Sequence, residues 1–343
     1  MAHEDQGLTM RAGVVGYVDA GRGIHSRLLR EAGHRVTDVV TRDPARSAAA
    51  REDWPDVRLH DDVASLLGRA GDLDVVVVAS PTGRHVDNAL ELVAGGMPMV
   101  VDKPIALDAV EARDVVDAAA RAAVPLTVFH NRRWDSEQLT LRRLLAEGAL
   151  GDVHRFERRW ERWRPVPKNR WRENAVGEGG GLLLDLGSHL VDSATQLFGP
   201  VTGVQAELRA LLTPTEDDVF LALTHESGTI SHLWAGGLVG APGPRTRVLG
   251  SAGSYLVTSF EGEPTPFAPL APGEGMEGWL VHGDVVEPVR REPGGHADFY
   301  REVARWLLAD GTVPVDPEDA VGTACVLDAA RRSAESGRRE PVL

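Results

Sequence analysis

The chain has few of the residues on which several common protein classes depend. Cys325 is the only cysteine among 343 residues, so no internal disulfide can form, which favours a reducing, cytoplasmic location. No apolar run approaches the ~18 residues that a membrane-spanning helix needs, so we expect no membrane partner. The polar stretch Met1–Thr9 lacks a signal-peptide core and is expected to be disordered. No histidines, cysteines and acids have metal-ligand spacing, so no metal is expected.

Negative charge also outweighs positive charge, and the formal net charge is -14. An acidic chain of ordinary hydrophobic content is typical of a globular protein, and it argues against nucleic acid as a partner. One exception is the segment 155–172, which contains eight Lys or Arg residues and three tryptophans. Glutamates interrupt this segment. We therefore interpret it either as a solvated strand and loop at an oligomer edge, or as a strand followed by a loop that covers an active site.

Short apolar runs and helical patterns alternate over the first 130 residues. Four consecutive valines, Val75–Val78, are typical of a strand buried on both faces of a parallel sheet. The alternation predicts a doubly wound α/β domain at 1–130. Residues 131–343 instead contain successive strand-like runs without intervening helices, which predicts a second domain with a largely antiparallel sheet. Its closing helices, near Ala297–Leu308 and Pro317–Ser333, are expected to pack back on the first domain.

A glycine-bounded turn separates the first predicted strand from the first predicted helix. Its residues Gly16, Tyr17, Val18, Ala20 and Gly21 occupy the place of a dinucleotide-binding G-x-G-x-x-G. The middle glycine, which lets the backbone approach the pyrophosphate, is replaced by Val18. The position favours dinucleotide binding, although a branched side chain there would crowd the phosphates.

The residues after the second predicted strand bear on the choice of dinucleotide. An acid at this point usually holds the ribose hydroxyls of NAD, whereas an arginine accommodates the 2′-phosphate of NADP. Thr41 is neutral and Arg42 is basic, which favours NADP over NAD. Asp43 would reverse that preference if it turned inward.

Two further segments carry candidate catalytic groups. Asp102-Lys103-Pro104 ends a predicted strand, where Lys103 would project over the ligand crevice and stabilise developing alkoxide charge. Asp185 and His189 follow a triple-glycine run and are four residues apart, so a helix would place them on one face. An acid and a base held together are suited to proton transfer.

Together these segments resemble the Gfo/Idh/MocA family of NAD(P)-dependent oxidoreductases. The family pattern has a glycine loop, then E-K-P, then G-G-x-x-x-D-x-G-x-H, and this chain has similar segments in the same order. Ser80, Pro81, Thr82 and His85 resemble the family's cofactor-contacting T-P-x-x-x-H loop. The segment that begins at Asn131 resembles one common in a bacterial subgroup.

The resemblance implies a Rossmann domain followed by an α/β domain with an open, mainly antiparallel sheet. It implies that His189 is the general base, that Lys103 orients the substrate hydroxyl and lowers its pKa, and that Asp185 holds His189 or a neighbouring hydroxyl. Asp102 and Lys103 would also line the cofactor site. Asn131, Arg164 and Arg172 are candidate substrate contacts, the arginines because they can pair with a carboxylate or phosphate.

The expected activity is hydride transfer between a nicotinamide dinucleotide and a hydroxyl or carbonyl of a sugar, polyol or related small molecule. The resemblance also implies a homodimer or homotetramer, in which the face of the open sheet is covered. Two alternatives remain: an enzyme that uses bound NAD in a net non-redox reaction, and a cofactor-poor relative that acts as a sensor or binding protein.

Overall fold

The computed structural model describes residues 7–259 and 265–343. The expected disorder of Met1–Thr9 mostly concerns residues 1–6, which lie outside the described residues. The chain divides into two compact units. The first comprises the described residues up to Asn131 together with Gly295–Val321, and the second comprises the described residues of Arg132–Gly294 together with Gly322–Leu343.

The first unit is built on a six-stranded parallel sheet with the strand order β3-β2-β1-β4-β5-β6. Its strands are β1 Arg11–Val15, β2 Arg35–Val40, β3 Arg58–His60, β4 Val75–Val78, β5 Met99–Val101 and β6 Leu126–Val128. Its helices are α1 Arg27–Glu31, which continues a π-helical stretch Gly21–Ser26, α2 Pro44–Asp53, α3 Val63–Leu67, α4 His85–Ala94, α5 Ala109–Arg121 and α9 Ala297–Leu308.

This strand order is that of a dinucleotide-binding Rossmann fold, so the predicted α/β architecture is confirmed. All four valines of β4 are fully buried, as expected for a central parallel strand. The order of the strands reverses between β1 and β4. The carboxyl ends of these two strands therefore border the crevice in which open α/β sheets bind ligands.

The second unit contains a nine-stranded sheet with the order β14-β13-β12-β11-β7-β10-β9-β8-β15. Among the pairings of its described strands, only β7–β10 is parallel, so the predicted mostly antiparallel sheet is confirmed. The strands are β7 Val153–Glu161, β8 Val201–Arg209, β9 Asp218–His225, β10 Ile230–Gly236, β11 Thr246–Gly250, β12 Ser254–Val257, β13 Met276–His282, β14 Val285–Arg290 and β15 Glu340–Pro341. The helices are α6 Ser136–Ala146, α7 Trp171–Asn174, α8 Ser188–Phe198 and α10 Pro317–Ser336, most of which belongs to this unit.

The two faces of this sheet differ in burial. Buried and half-buried residues alternate along β9, and α8 packs on β10. On the less buried face Phe220 lies 5.2 Å from Trp234, measured between ring centroids, and the Arg159 guanidinium lies 4.0 Å from the Trp234 ring. That face is therefore aromatic and only half-buried.

Candidate active site

The turn after β1 requires glycine at two positions. Gly16 has φ +89°, and a Cβ built on it would lie 2.9 Å from the Ala79 carbonyl oxygen. A Cβ on Gly21 would lie only 1.9 Å from the Gly16 carbonyl oxygen. The helix that begins at this turn thus approaches the strand closely, which is the arrangement that brings helix N–H groups to a bound phosphate. These residues therefore fit a dinucleotide.

The side chains between these glycines point in different directions. Val18, in the place of the middle glycine, is 42% exposed. Tyr17 is buried, and its hydroxyl donates to Asp53 Oδ2 at 2.9 Å and lies 3.0 Å from Ser26 Oγ. Ala20 is half-buried. The Tyr17 side chain therefore fastens the turn to α2, and only its backbone remains for a cofactor.

After β2, the side chains of Arg42 and of its neighbour Asp43 make different contacts. Asp43 Oδ1 accepts a hydrogen bond of 2.9 Å from the Arg46 backbone N–H and caps α2. Its carboxylate is engaged there, so the possibility that Asp43 turns inward is not realised in this structure. Arg42 is exposed, and its Nε donates to the Asp61 carbonyl at 2.9 Å. Thr41 is half-buried.

His85 joins the segments that follow β4 and β5. Its Nδ1 lies 2.9 Å from the Pro104 carbonyl oxygen and its Nε2 lies 2.8 Å from the Ser80 carbonyl oxygen. Burial lowers the pKa of His85, although nearby Asp102 raises it. The ring is almost fully buried, so it fastens the two segments together. Pro81 is exposed and Thr82 is buried at the start of the same segment.

Asp102 is a buried carboxylate directly before Lys103. The Lys103 backbone N–H donates to its Oδ1 at 2.8 Å, and His25 Nε2 lies 3.5 Å from the same oxygen. Burial raises the pKa of Asp102, but His25 and Lys103 outweigh burial and hold it well below its usual value. Asp102 is therefore ionised at neutral pH. Lys103 itself is half-buried.

His25, which lies beside Asp102, and its partner Tyr300 were not predicted from the sequence. His25 Nδ1 lies 2.5 Å from the Tyr300 hydroxyl, and both side chains are fully buried. The two residues are 275 positions apart, so no local spacing could reveal the contact. Asn131 is buried and follows β6, at the same carboxyl edge of the sheet as Lys103.

In the second unit the glycine run before Asp185 is required by close packing. Gly181 has φ +96°, and a Cβ there would lie 2.1 Å from Glu216 Oε1. A Cβ on Gly180 would lie 2.7 Å from the Arg172 carbonyl oxygen. Asp185 follows in a π-helical stretch, Leu183–Gly187, which continues as α8.

Asp185 lines an open cleft in the second unit, whose space is about 870 Å³ when the solvent at its mouth is included. Its Oδ1 lies 3.6 Å from Arg172 Nε, and each of the two side chains is about one third exposed. Arg164, the other arginine predicted to contact substrate, lines the same cleft. The structure thus brings Asp185 together with both predicted arginines.

His189 lines a different, smaller cavity of about 260 Å³. Its ring centroid lies 5.7 Å from that of Trp160, and the rings are inclined by 32°. Arg132 and Arg245 lie 4.7 Å and 5.3 Å from the Trp160 ring. Trp160 is buried, and no local sequence pattern indicated its contact with His189.

Charged groups of opposite sign are buried beside this cavity. Glu137 lies 3.0 Å from Arg245 Nε and 3.4 Å from Arg158 Nη2. Burial raises the pKa of Glu137, but Arg158 and Arg245 outweigh burial and lower it to about 2. The carboxylate therefore stays ionised and balances the guanidinium groups near Trp160.

Within 7–259 and 265–343, no three or more His, Cys, Asp and Glu side chains form a group that could hold a metal ion. Over the same ranges, every helix is too short or too polar to cross a membrane.

Comparison with known proteins agrees with this architecture. Residues 10–130 match the model of the oxidoreductase family with an NAD-binding Rossmann fold, and residues 138–256 match the GFO/IDH/MocA C-terminal domain. An uncharacterized oxidoreductase of Escherichia coli, YdgJ, is 32% identical, over 91% of this chain and 92% of that protein. The chain belongs to the Gfo/Idh/MocA family of oxidoreductases.

Two further relatives have similar coverage. The scyllo-inositol 2-dehydrogenase (NADP(+)) IolW of Bacillus subtilis is 28% identical, over 96% of this chain and 95% of that protein. The solved structure of the oxidoreductase yvaA from Bacillus subtilis is 26% identical, with a TM-score of 0.86 and coverage of 98% and 99% of the two chains. The predicted family is thus confirmed.

Proposed function

We propose that this chain transfers a hydride between NADP(H) and a hydroxyl or carbonyl group of a sugar, polyol or related small molecule. The observation that carries the proposal is the carboxyl edge of the six-stranded sheet. A glycine turn of the dinucleotide type follows β1 there, and a lysine beside an ionised, buried carboxylate follows β5. Inositol and sugar dehydrogenases among the relatives support the substrate class.

The proton-handling groups are Lys103, Asp185 and His189. His189 takes the hydroxyl proton as general base in oxidation and returns it in reduction, because imidazole titrates near neutral pH. Lys103 donates a hydrogen bond to a substrate oxygen and stabilises its negative charge. Asp185 holds a neighbouring substrate hydroxyl in the cleft. The dinucleotide, when bound, supplies or accepts the hydride, and the protein supplies orientation and proton transfer.

NADP is the proposed dinucleotide. Arg42 is exposed after β2, whereas the carboxylate of Asp43 is engaged in capping α2. A guanidinium can hold a 2′-phosphate through charge-assisted hydrogen bonds. The name of the Bacillus subtilis relative IolW, which specifies NADP(+), supports the same choice.

Calorimetric titration of the cofactor-stripped protein with NADPH and with NADH tests the proposal. We expect NADPH to bind at least about tenfold more tightly, since a hydrogen bond to a charged group contributes about 1.5–3 kcal/mol. Arg42→Gln should remove most of this preference. Arg51→Gln, an equal loss of charge at an exposed position near the end of α2, should leave it intact.

The outcomes separate the two parts of the proposal. An NADH preference in the wild-type protein would contradict the NADP assignment alone. Absence of binding by either dinucleotide would contradict hydride transfer and favour the cofactor-poor sensor, which Val18 motivates. Turnover that survives His189→Ala unchanged would exclude His189 as the base.

We also propose a homodimer or homotetramer that covers the half-buried aromatic face of the nine-stranded sheet. Trp234→Asp places a charge on that face and should lower the mass measured by sedimentation equilibrium. Val110→Asp, at a position 72% exposed on α5, is the matched control and should leave the mass unchanged. A monomeric wild-type protein would refute the assembly.

A further inference from the structure

We propose that His25 is a positioning residue that holds the Asp102 carboxylate in place and, through it, sets the position of Lys103. This role rests on the proposed oxidoreductase function and deepens it, because Lys103 is the group proposed to hold the substrate oxygen. His25 lies in the π-helical stretch Gly21–Ser26, which begins at the dinucleotide turn. The helix that follows this turn therefore also contacts the residue directly before Lys103.

Two polar contacts define how the His25 ring is held. Its Nδ1 lies 2.5 Å from the Tyr300 hydroxyl, and its Nε2 lies 3.5 Å from Asp102 Oδ1. The second distance is long for a hydrogen bond, so the attraction between ring and carboxylate is mainly electrostatic. When the Tyr300 hydroxyl donates to Nδ1, the ring proton is on Nε2 and faces the carboxylate. Tyr300 thus selects the form of His25 that attracts Asp102.

Aromatic packing restricts rotation of the His25 ring. The ring is fully buried, and its centroid lies 4.3 Å from that of Phe129. Phe129 in turn lies 5.0 Å from Phe299 and 5.8 Å from Tyr300, measured between ring centroids. Because a close-packed interior leaves little room for a ring to turn, these contacts keep Nε2 directed towards Asp102.

The Asp102 carboxylate connects His25 to Lys103. The Lys103 backbone N–H donates to Asp102 Oδ1 at 2.8 Å, and this is the same oxygen that faces His25. Burial raises the pKa of Asp102, but its interactions with His25 and then with Lys103 outweigh burial and keep the pKa below its usual value. Without His25, burial would favour the neutral acid, which accepts a hydrogen bond less strongly and no longer attracts the lysine.

His34 offers a matched comparison in the same unit. It is also buried, and its Nε2 lies 3.0 Å from the Tyr300 backbone carbonyl oxygen. The Met10 backbone N–H donates to its Nδ1 at 3.4 Å. Neither of these contacts reaches Asp102. His34→Phe therefore removes a buried imidazole beside Tyr300 and leaves the contact between His25 and Asp102 in place.

The composition of the chain makes Lys103 directly observable. Lys103 and Lys168 are its only lysines, so trace acetylation with acetic anhydride labels two lysine side chains besides the amino terminus. Mass spectrometry of the peptides then gives the ratio of the two acetylation rates, with Lys168 of the second unit as the internal reference. The anhydride reacts with the uncharged amine. The ratio measured without ligand at constant pH therefore reports how strongly the surroundings of Lys103 favour its ammonium form.

His25→Phe keeps an aromatic ring and removes both nitrogens. We expect it to raise the acetylation ratio of Lys103 to Lys168 about threefold or more, because a neutral or displaced Asp102 no longer favours the ammonium form. His25→Gln restores a donor towards Asp102 and should return most of the ratio to its wild-type value. His34→Phe should leave the ratio near that value.

Turnover provides the second readout. With NADP+ and scyllo-inositol as the probe substrate, His25→Phe should lower kcat about tenfold, because a displaced Lys103 holds the reacting oxygen less well. KM for NADP+ should change less than kcat. His25→Gln should recover part of kcat, whereas a general loss of packing would lower both variants alike.

The outcomes separate the role of His25 from the proposed function. A ratio that His25→Phe leaves unchanged, or that His34→Phe raises equally, would overturn the role even if the wild-type protein reduces NADP+. If the wild-type protein does not turn over the probe substrate, the acetylation ratio alone decides. If His25→Phe does not fold, Tyr300→Phe replaces it: a smaller rise of the ratio supports the role, and an unchanged ratio overturns it.

Discussion

Gly21 is the position in the first unit where one added methyl group has the least room. A Cβ there would lie 1.9 Å from the Gly16 carbonyl oxygen and 2.9 Å from its carbonyl carbon, whereas ordinary contacts begin near 3.4 Å. Gly21→Ala must therefore push the helix from the turn by about 1.5 Å, since both partners are backbone and neither can rotate away.

The magnitude follows from two opposing terms. Overpacking costs about 1–3 kcal/mol where side chains can shift, and a backbone contact belongs at the upper end of that range or above it. Replacing glycine by alanine in a helix returns about 1 kcal/mol. We expect Gly21→Ala to lower the free energy of unfolding by about 2 kcal/mol or more, and to weaken NADPH binding because the phosphate turn is displaced.

Gly23 provides a matched control two residues along the same π-helical stretch. A Cβ on Gly23 would meet nothing within 4 Å, so Gly23→Ala should be neutral or stabilising by up to about 1 kcal/mol. Urea unfolding followed by circular dichroism, together with calorimetry of NADPH binding, compares the variants. Equal stability of the two variants would show that turn and helix do not approach as described.

Further predictions concern buried charge, a helix cap and the phosphate turn. Glu137→Gln leaves Arg158 and Arg245 without their buried counter-charge, so thermal unfolding should reveal a loss of about 3–5 kcal/mol. Because the pKa of Glu137 is about 2 when folded, below its ordinary 4.5, its stabilisation should be complete above pH 4.5 and lost as the pH falls towards 2; urea midpoints measured from pH 7 to pH 3 check this sign. Asp43→Ala removes the N-cap of α2 and should cost about 1 kcal/mol of unfolding free energy, whereas a cost near zero would exclude a stabilising cap. Val18→Gly should tighten NADPH binding in the calorimeter, and no gain would refute crowding by that side chain.

The first unit was predictable because its signals are local. The turn after β1 depends on glycines within a few residues of one another. The run Val75–Val78 forms a strand that is buried on both faces. Gly16 and Gly21 were recognisable because only glycine tolerates a positive φ or so close a backbone approach. The order of strands and helices then followed from their alternation.

Much of the nine-stranded sheet could not be predicted, because several of its strands lack a local sequence signature. β12 is only four residues long, and β14 contains Pro288 and is largely exposed. Proline is tolerated in β14 because that strand forms the edge of the sheet, where one row of N–H groups needs no partner. The sequence shows the proline, but it does not show that β14 lies at the edge of the sheet.

The environment of the candidate catalytic residues was also hidden, because it comes from distant parts of the chain. Asp185 and His189 are four residues apart. Asp185 lines the cleft next to Arg172, and His189 contacts the buried Trp160. Their spacing predicted an acid–base pair, and that pair stays a prediction.

These contacts bear on the roles proposed for the two residues. We propose that the carboxylate of Asp185, which is one third exposed beside Arg172, meets substrate hydroxyls in the cleft. An imidazole that packs on Trp160 has its ring orientation fixed by an aromatic surface, and Glu137 balances the guanidinium groups near that surface. Asp102 provides a comparable buried negative charge next to Lys103 in the first unit. Two buried carboxylates, Glu137 and Asp102, thus lie next to cationic groups, whereas Asp185 is partly exposed, as its proposed role in binding substrate requires.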